Sequence, residues 1–179
     1  QAWALTGLSA FARTLLDDAD AAAMLATLTA QPLMLIQDQT LGASAATIDF
    51  TGIPSTFKDL RLVVQCRSDR AATSDSVLFK VNNDGGANYR SVLLTGSGVA
   101  ATSTSDAASI GWRVGATVGA TGTANQPSQH DILVANYAGT TFFKTCTAHA
   151  GSTNGATETT ESNWARWAST AAVTRLTLV

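Results

Sequence analysis

The chain has 179 residues, of which 45% are apolar and only 13% are charged, and its formal net charge is -2. This length predicts one domain with a small appendage. Because the sequence contains no run of Lys or Arg, counterion-driven binding to nucleic acid is not indicated, and no apolar run is long enough to span a membrane. Charged residues are about half as frequent as in a typical globular protein. Ala, Thr, Ser and Gly take their place, which is typical of the neutral surface of an exposed β-protein. The chain starts with Gln1 and shows no signal-peptide pattern, so we expect it to be part of a longer protein.

Residues 9–28 are rich in Ala and Leu and contain neither Gly nor Pro. Ser9 can cap a first short helix, and Asp17 or Asp18 can cap a second one over residues 19–28. Helices this short are not stable alone in water, so their apolar side must pack on the following domain or on copies of itself. The pattern therefore predicts a short α-helical neck in residues 1–31, which serves either as a cap on the same chain's core or as a trimerisation segment.

From Pro32 onward the apolar residues recur every second position, which predicts strands with one buried face. Nine strands are predicted: Ala46–Phe50, Leu60–Arg67, Val77–Val81, Tyr89–Leu94, Ser109–Val114, His130–Ala135, Thr141–Ala150, Ser162–Ala168 and Val173–Val179. The Gly/Ser/Thr/Ala stretches 96–106, 115–128 and 150–160 are predicted to be loops. No helix-length segment interrupts the strands, so residues 32–179 are predicted to be mainly β, an antiparallel two-sheet sandwich of the jelly-roll-like kind.

Catalytic patterns are weak. The two glutamates, Glu158 and Glu161, lie in a Thr-rich segment with nothing nearby to raise a carboxyl pKa, whereas a glycosidase needs two carboxylates at a defined spacing. Neither His130 nor His149 has a G-x-S-x-G motif to accompany it, and the pattern places no serine beside either. We therefore predict that the protein is not an enzyme and has no catalytic residues.

Metal and cofactor sites are not indicated either. Cys66 and Cys146 lie far apart in apolar, strand-like runs, which predicts two buried free thiols, although a disulfide is possible if their strands are neighbours. No CxxC or HxxxH spacing suggests zinc. The glycine-rich loops lack the Lys-Ser/Thr of a phosphate-binding loop and the strand–turn–helix context of a dinucleotide site. The sequence thus predicts no metal and no cofactor.

The tryptophans of the β region are the candidate ligand contacts. Trp faces stack on sugar rings, but they also fill protein cores and subunit interfaces. Trp164 and Trp167 are three residues apart, so in a regular strand they face opposite sides, and one can be buried while the other is exposed. The predicted receptor or glycan contacts are Trp112, Arg113, Trp164 and Trp167, with core or subunit packing as the alternative.

Residues 82–90, NNDGGANYR, carry several oxygen-bearing side chains. A calcium loop needs ligands alternating over about a dozen residues, usually closed by a bidentate Glu; this stretch is shorter and has only one carboxylate, that of Asp84. Asp-Gly-Gly between two strands is instead typical of a hairpin turn in which φ > 0 is tolerated. We interpret the stretch as a turn rather than as a metal site.

Several stretches in the same order resemble a known family. Residues 12–28, ARTLLDDADAAAMLATL, resemble the helical segment ahead of the distal domains of tailed-phage fibre proteins. The remaining chain is similar to a C-terminal domain of phage tail fibres, minor tail proteins and head fibres, and of gene transfer agent particles. The similar segments are Ile53, Pro54, Phe57, Leu60 and Leu62, the turn Arg70–Thr73, the stretch Asn82–Tyr89, VANYAGTTFFKT (134–145) and WASTAAVTRLTL (167–178).

This resemblance implies a virion component on the particle exterior, assembled in the host cytoplasm. It implies a homotrimer that joins other virion proteins through its N-terminal segment and attaches to a host receptor, a cell-surface polysaccharide. Charge and hydropathy predict neither nucleic-acid binding nor membrane insertion. No catalytic motif of the family carries over to this chain. A purely structural decoration or adaptor protein is the main alternative, and a polysaccharide depolymerase is a further one.

Overall fold

A computed structural model describes residues 33–153 and 157–179, apart from the side chain of Ala108. The described residues before Thr40 belong to one compact unit, and residues Thr40–Val179 form a second one. The helical neck predicted for residues 1–31 lies outside the described residues. In the described part of the chain, no helix is long and apolar enough to cross a membrane.

The second unit is mainly β and contains ten strands. They are β1 (Ile48–Thr51), β2 (Leu60–Cys66), β3 (Ser74–Val81), β4 (Tyr89–Gly96), β5 (Ala101–Ser109), β6 (Trp112–Val118), β7 (Ser128–Val134), β8 (Lys144–Thr153), β9 (Glu158–Trp167) and β10 (Arg175–Leu178). Four form a sheet in the order β1-β10-β3-β6, and six form a sheet in the order β2-β7-β8-β9-β4-β5. The strand pairs are antiparallel, as the sequence predicted.

Alternating side chains of both sheets share one buried core, which gives a sandwich-like arrangement. β6 of the four-stranded sheet lies against β8 and β9 of the other. Small residues allow this close approach: a Cβ added to Gly115 would lie 2.6 Å from the Cβ of Ala150, and the φ of Gly115 is +138°. Gly115 lies on β6 beside a register shift in its pairing with β3. This position therefore requires glycine for both space and backbone conformation.

The stretch 96–106 is not the predicted loop. Its second half forms most of β5, the edge strand next to β4, and the predicted strand Ser109–Val114 is divided between the end of β5 and the start of β6. The prediction was wrong because the described side chains of β5 are mostly exposed on both faces. Ser, Thr and Ala suffice on such a strand, and no apolar alternation marks it. Residues 115–118, also predicted as loop, extend β6.

The turn Arg70–Thr73 and the loop 119–122 hold each other at one end of the unit. The N–H of Gly119 donates to the carbonyl of Thr73 at 3.0 Å, and the N–H of Ala120 donates to the carbonyl of Arg70 at 2.8 Å. A Cβ on Gly119 would lie 2.1 Å from the carbonyl oxygen of Ala72. Arg67 supports the same loop by donating to the carbonyls of Gly119 at 3.0 Å and Gly122 at 2.7 Å.

Candidate functional site

The stretch 82–90 connects the two sheets. β3, before it, belongs to the four-stranded sheet, and β4, after it, belongs to the six-stranded sheet, so the predicted hairpin is wrong while the turn itself is present. The left-handed conformation is adopted by Asn82 (φ 50°) and Asn83 (φ 61°) rather than by the glycines. Asparagine is one of the non-glycine residues that adopt this conformation most often. The Asn82 amide oxygen accepts a hydrogen bond from the N–H of Thr174 at 2.9 Å, and its NH₂ group donates to the carbonyl of Ala172 at 2.7 Å.

Asp84 anchors this connection to the core. Its carboxylate accepts hydrogen bonds from the indole N–H of Trp167 at 2.7 Å, from the N–H of Gly86 at 2.8 Å and from the side chain of Asn88 at 2.9 Å. These bonds, led by that from Trp167, hold the pKa of Asp84 below its usual value. The carboxylate that made the stretch resemble a ligand site therefore serves the fold.

Two of the predicted contact residues, Trp112 and Trp167, are core residues. They are 1% and 4% exposed, and both pack on the ring of Tyr89, Trp112 edge-on at 6.5 Å and Trp167 stacked at 6.4 Å. The Tyr89 hydroxyl lies 3.0 Å from the N–H of Val81, which donates to it, and burial raises the pKa of Tyr89 to about 12. This aromatic cluster fills the space between the sheets, so Trp112 and Trp167 present no face to a ligand.

Tyr137 and Lys144, which lie in a segment that carries the family resemblance, connect loops through hydrogen bonds. The Tyr137 hydroxyl donates to the carbonyl of Pro54. The buried Lys144 ammonium donates to the carbonyls of Phe142 at 3.0 Å and Thr170 at 3.1 Å, and burial lowers the pKa of Lys144. These residues hold connections in place and make no surface site.

A buried polar cluster between the sheets was missed by the sequence reasoning. Ser128 and His130 are neighbours on the inner face of β7, and the Ser128 hydroxyl lies 3.0 Å from Nε2 of His130, so the statement that no serine adjoins a histidine was wrong. The same hydroxyl donates to Oγ1 of Thr117 at 2.7 Å. Residues two apart on a strand share a face, so the spacing of Ser128 and His130 is the signal in the sequence that predicts their contact.

This cluster has the residue types of a nucleophilic catalytic site, but a substrate cannot reach it. Ser128 and His130 are fully buried, and Thr117 is 4% exposed. Burial lowers the pKa of His130, so the imidazole is held neutral, with Nδ1 3.4 Å from the carbonyl of Val114. The carboxylate of Glu161, also buried, accepts from the N–H of Ala116 at 2.9 Å. The cluster joins the two sheets through hydrogen bonds and leaves no opening for a substrate.

The two thiols are free, so the disulfide alternative is wrong, and of the two only Cys146 is buried, whereas Cys66 is partly exposed. Cys66 on β2 pairs with Ser128, whereas Cys146 on β8 pairs with Val134, at the other end of β7. Six residues along a strand correspond to about 20 Å, far beyond the reach of a disulfide. Burial raises the pKa of Cys146 to about 12, so its thiol is unreactive at neutral pH.

The outward face of the six-stranded sheet, which we call the outer sheet face, carries the accessible apolar side chains of this unit's strands. The residues are Val63 (58% exposed), Val92 (48%), Leu94 (54%), Leu133 (44%) and Trp164 (44%). Leu133, Thr147, Trp164 and Val92 lie in one cross-strand row over β7, β8, β9 and β4. Exposed apolar side chains gathered on one face are typical of binding surfaces. Trp164 is exposed and Trp167 is buried, as the spacing predicted.

Arg113 lies elsewhere. It is on β6, and its guanidinium reaches Asp106 of β5 at 3.4 Å, with both side chains about one-third exposed. The four predicted contact residues therefore do not form one site: two are in the core, Arg113 lies beside the edge strand, and Trp164 lies on the outer sheet face. Contact with a receptor stays a prediction for Trp164 and Arg113, because both side chains are partly exposed to solvent.

Within residues 33–153 and 157–179, no group of three or more His, Cys, Asp or Glu side chains is placed to hold a metal ion. Comparison with known protein families, with curated proteins and with solved structures found no match to this chain. The family resemblance and its functional implications therefore stay predictions.

Proposed function

We propose that this chain is the distal domain of a virion fibre, on a tail or a head, which attaches the particle to a host-surface glycan and catalyses no reaction. The observation that carries the proposal is the outer sheet face, where Trp164 presents an open indole surface in a row with Thr147 and Val92. An aromatic face with adjacent hydroxyl groups suits a sugar, because the ring C–H groups stack on the indole and the sugar hydroxyls bond to the polar neighbours. The ordered motifs that resemble fibre domains support the same reading.

We further infer that the sandwich is a jelly roll. Strands β1, β3, β6 and β10 form one sheet while the intervening strands form the other, so the chain crosses repeatedly between sheets. Double-sheet jelly rolls have eight strands. The meander β7-β8-β9 replaces a single strand of that scheme, which accounts for the ten strands here.

Residues 1–31 are proposed to form the helical neck of a homotrimer and to join other virion proteins. Amphipathic helices of this length gain stability by packing around a shared axis. Three or more weak glycan sites on one particle then act together through avidity, so each tip can bind weakly.

The test is adsorption of the purified, labelled chain to host cells. We expect saturable binding to susceptible cells, weak binding to resistant mutants that lack surface polysaccharide, and no release of reducing ends from that polysaccharide. If the folded oligomer does not adsorb and its deletion instead alters particle assembly, the protein is a structural adaptor and the attachment function is wrong.

A further inference from the structure

Two arginines face each other on the outer sheet face without a counter-charge. Arg90 on β4 is the direct cross-strand partner of Arg166 on β9. Like charges directly opposite in an antiparallel pair destabilise a sheet. Among the described residues, neither guanidinium forms an ion pair with a carboxylate. Such a pair lowers the stability of the fold, which indicates a role outside folding.

The surroundings do not neutralise this charge. The outward positions of β4, β5, β8 and β9 hold one carboxylate, that of Glu158, and it lies eight residues from Arg166 along β9, about 27 Å away. Asp131 on β7 is already held by Arg61, with the two side chains 2.5 Å apart. A chain with a net charge of -2 therefore carries a local positive patch.

Arg166 is also held in place. Its guanidinium lies over the ring of Phe143, 5.6 Å from the ring centroid, a cation–π contact. Its Nε is buried and has no hydrogen-bond partner among the described residues. This N–H is not accessible to a ligand, but a guanidinium that an aromatic ring orients loses little side-chain freedom when its other N–H groups bind an anion.

Trp164 is the next outward residue on β9 after Arg166, about 7 Å along the strand. Thr145 pairs with Arg166 and Thr147 pairs with Trp164 on β8, which adds hydroxyl groups beside the arginine and the indole. The site thus combines an exposed indole, an arginine pair about 7 Å away along the strand and flanking hydroxyl groups. The distance between the indole and the arginine pair is similar to the size of one sugar ring with its acidic substituent.

We propose that Arg90, Trp164 and Arg166, which we call the acidic-sugar patch, bind a carboxylate-bearing saccharide. The sugar ring stacks on Trp164 and its carboxylate bridges the two guanidinium groups, while Thr145 and Thr147 bond to hydroxyls. This inference rests on the proposed attachment to a glycan and specifies its chemical class. Pairing of two copies through the patch is disfavoured, because it would bring four unneutralised arginines together.

The test uses the full chain and three immobilised acidic polymers: polygalacturonate, alginate and polysialic acid. Each is presented both in its native form and after chemical reduction of its carboxyl groups to alcohols, which removes the charge and keeps the sugar ring. The variants are Arg90→Gln, Arg166→Gln and Trp164→Ala, all at outward positions. Arg61→Gln is the matched control, because Arg61 lies on the same face but is paired with Asp131. Thermal melting verifies that every variant is folded.

We expect at least one native polymer to bind, with binding weakened by added salt and lost on carboxyl reduction. Each patch variant weakens binding by roughly tenfold, the order expected when one charge-assisted contact is removed, while Arg61→Gln binds as wild type. If no acidic polymer binds, if the reduced forms bind equally well, or if Arg61→Gln loses as much as the patch variants, the inference is wrong.

Adsorption to cells distinguishes failure of the acidic-sugar patch from failure of the proposed attachment function. If wild type adsorbs to susceptible cells and both arginine variants adsorb equally, attachment stands and the acidic-sugar patch is refuted. If Trp164→Ala alone loses adsorption and no acidic polymer binds, the surface recognises a neutral glycan or a protein, which also refutes the inference. If wild type does not adsorb, the attachment function itself fails.

Discussion

Replacing Asp84 is predicted to destabilise the fold without removing a ligand site. The indole N–H of Trp167 has Asp84 as its acceptor at 2.7 Å, and Trp167 is 4% exposed. In Asp84→Ala this N–H is left buried without an acceptor, which costs about 1–3 kcal/mol. The bonds from Gly86 and Asn88 lie in the solvent-exposed part of the turn, so after discounting for solvent they add only about 0.5 kcal/mol together.

The expected total is a loss of about 1.5–3.5 kcal/mol in the free energy of unfolding, or roughly 3–14 °C in Tm. Asp84→Asn is also destabilising, because its NH₂ group must face one of the N–H donors that the carboxylate accepts. Asn88→Ala, which removes a single exposed donor, is the control and costs less than about 0.5 kcal/mol. Denaturant unfolding followed by Trp fluorescence gives these values.

The pH dependence follows from the same contacts. The pKa of Asp84 is lowered in the folded protein, so its stabilisation is complete above the unfolded value of 3.8 and is lost as pH falls through the folded pKa. The difference between wild type and Asp84→Asn should therefore shrink in acid. If Asp84→Ala leaves stability unchanged but abolishes adsorption to cells, the turn is a ligand site and the reasoning is refuted.

Three further predictions concern the interior. Since burial lowers the pKa of His130, the free energy of unfolding should fall as pH drops below about 6.5, by at most about 1.4 kcal/mol per pH unit, and pH titration of His130→Gln should show a flatter profile. Gly115→Ala should cost more than about 2 kcal/mol, because its new Cβ meets that of Ala150 at 2.6 Å; Gly151→Ala, which has open space, serves as control, and equal Tm values would contradict the argument. Asn163 is buried and its amide has no partner among the described residues, so Asn163→Val should raise the free energy of unfolding by about 1 kcal/mol, and a loss of stability on chemical denaturation would show that the amide is satisfied.

Much of the sheet structure was predictable because many strands alternate clearly. In β2, Leu60 faces the core while Arg61 faces solvent. Burial alternates in the same way along β7 and β8, although the inner faces of these two strands also hold the polar residues Ser128, His130 and Lys144. β5 was missed since an edge strand with two exposed faces carries no such signal. The assignment of strands to two sheets depends on long-range pairing, and so the stretch 82–90 was misinterpreted as a hairpin.

The site was predictable only in part. The spacing of Trp164 and Trp167 placed them on opposite faces, but hydrophobicity did not show which face is inward. The inward side chains of β9 include the polar residues Glu161 and Asn163, while Trp164 faces outward. The arginine pair on the outer sheet face was not predictable, because 76 residues separate Arg90 from Arg166 and only the register of β4 with β9 brings them together.

The most direct test of the central claim is the equilibrium adsorption of Trp164→Ala to susceptible cells, compared with wild type and with Ile110→Ala. Ile110 is 49% exposed, similar to Trp164, but lies between β5 and β6 and outside the outer sheet face. Attachment through the outer sheet face predicts that Trp164→Ala loses roughly tenfold or more in affinity at unchanged Tm, while Ile110→Ala adsorbs as wild type. Equal adsorption of all three proteins would contradict it.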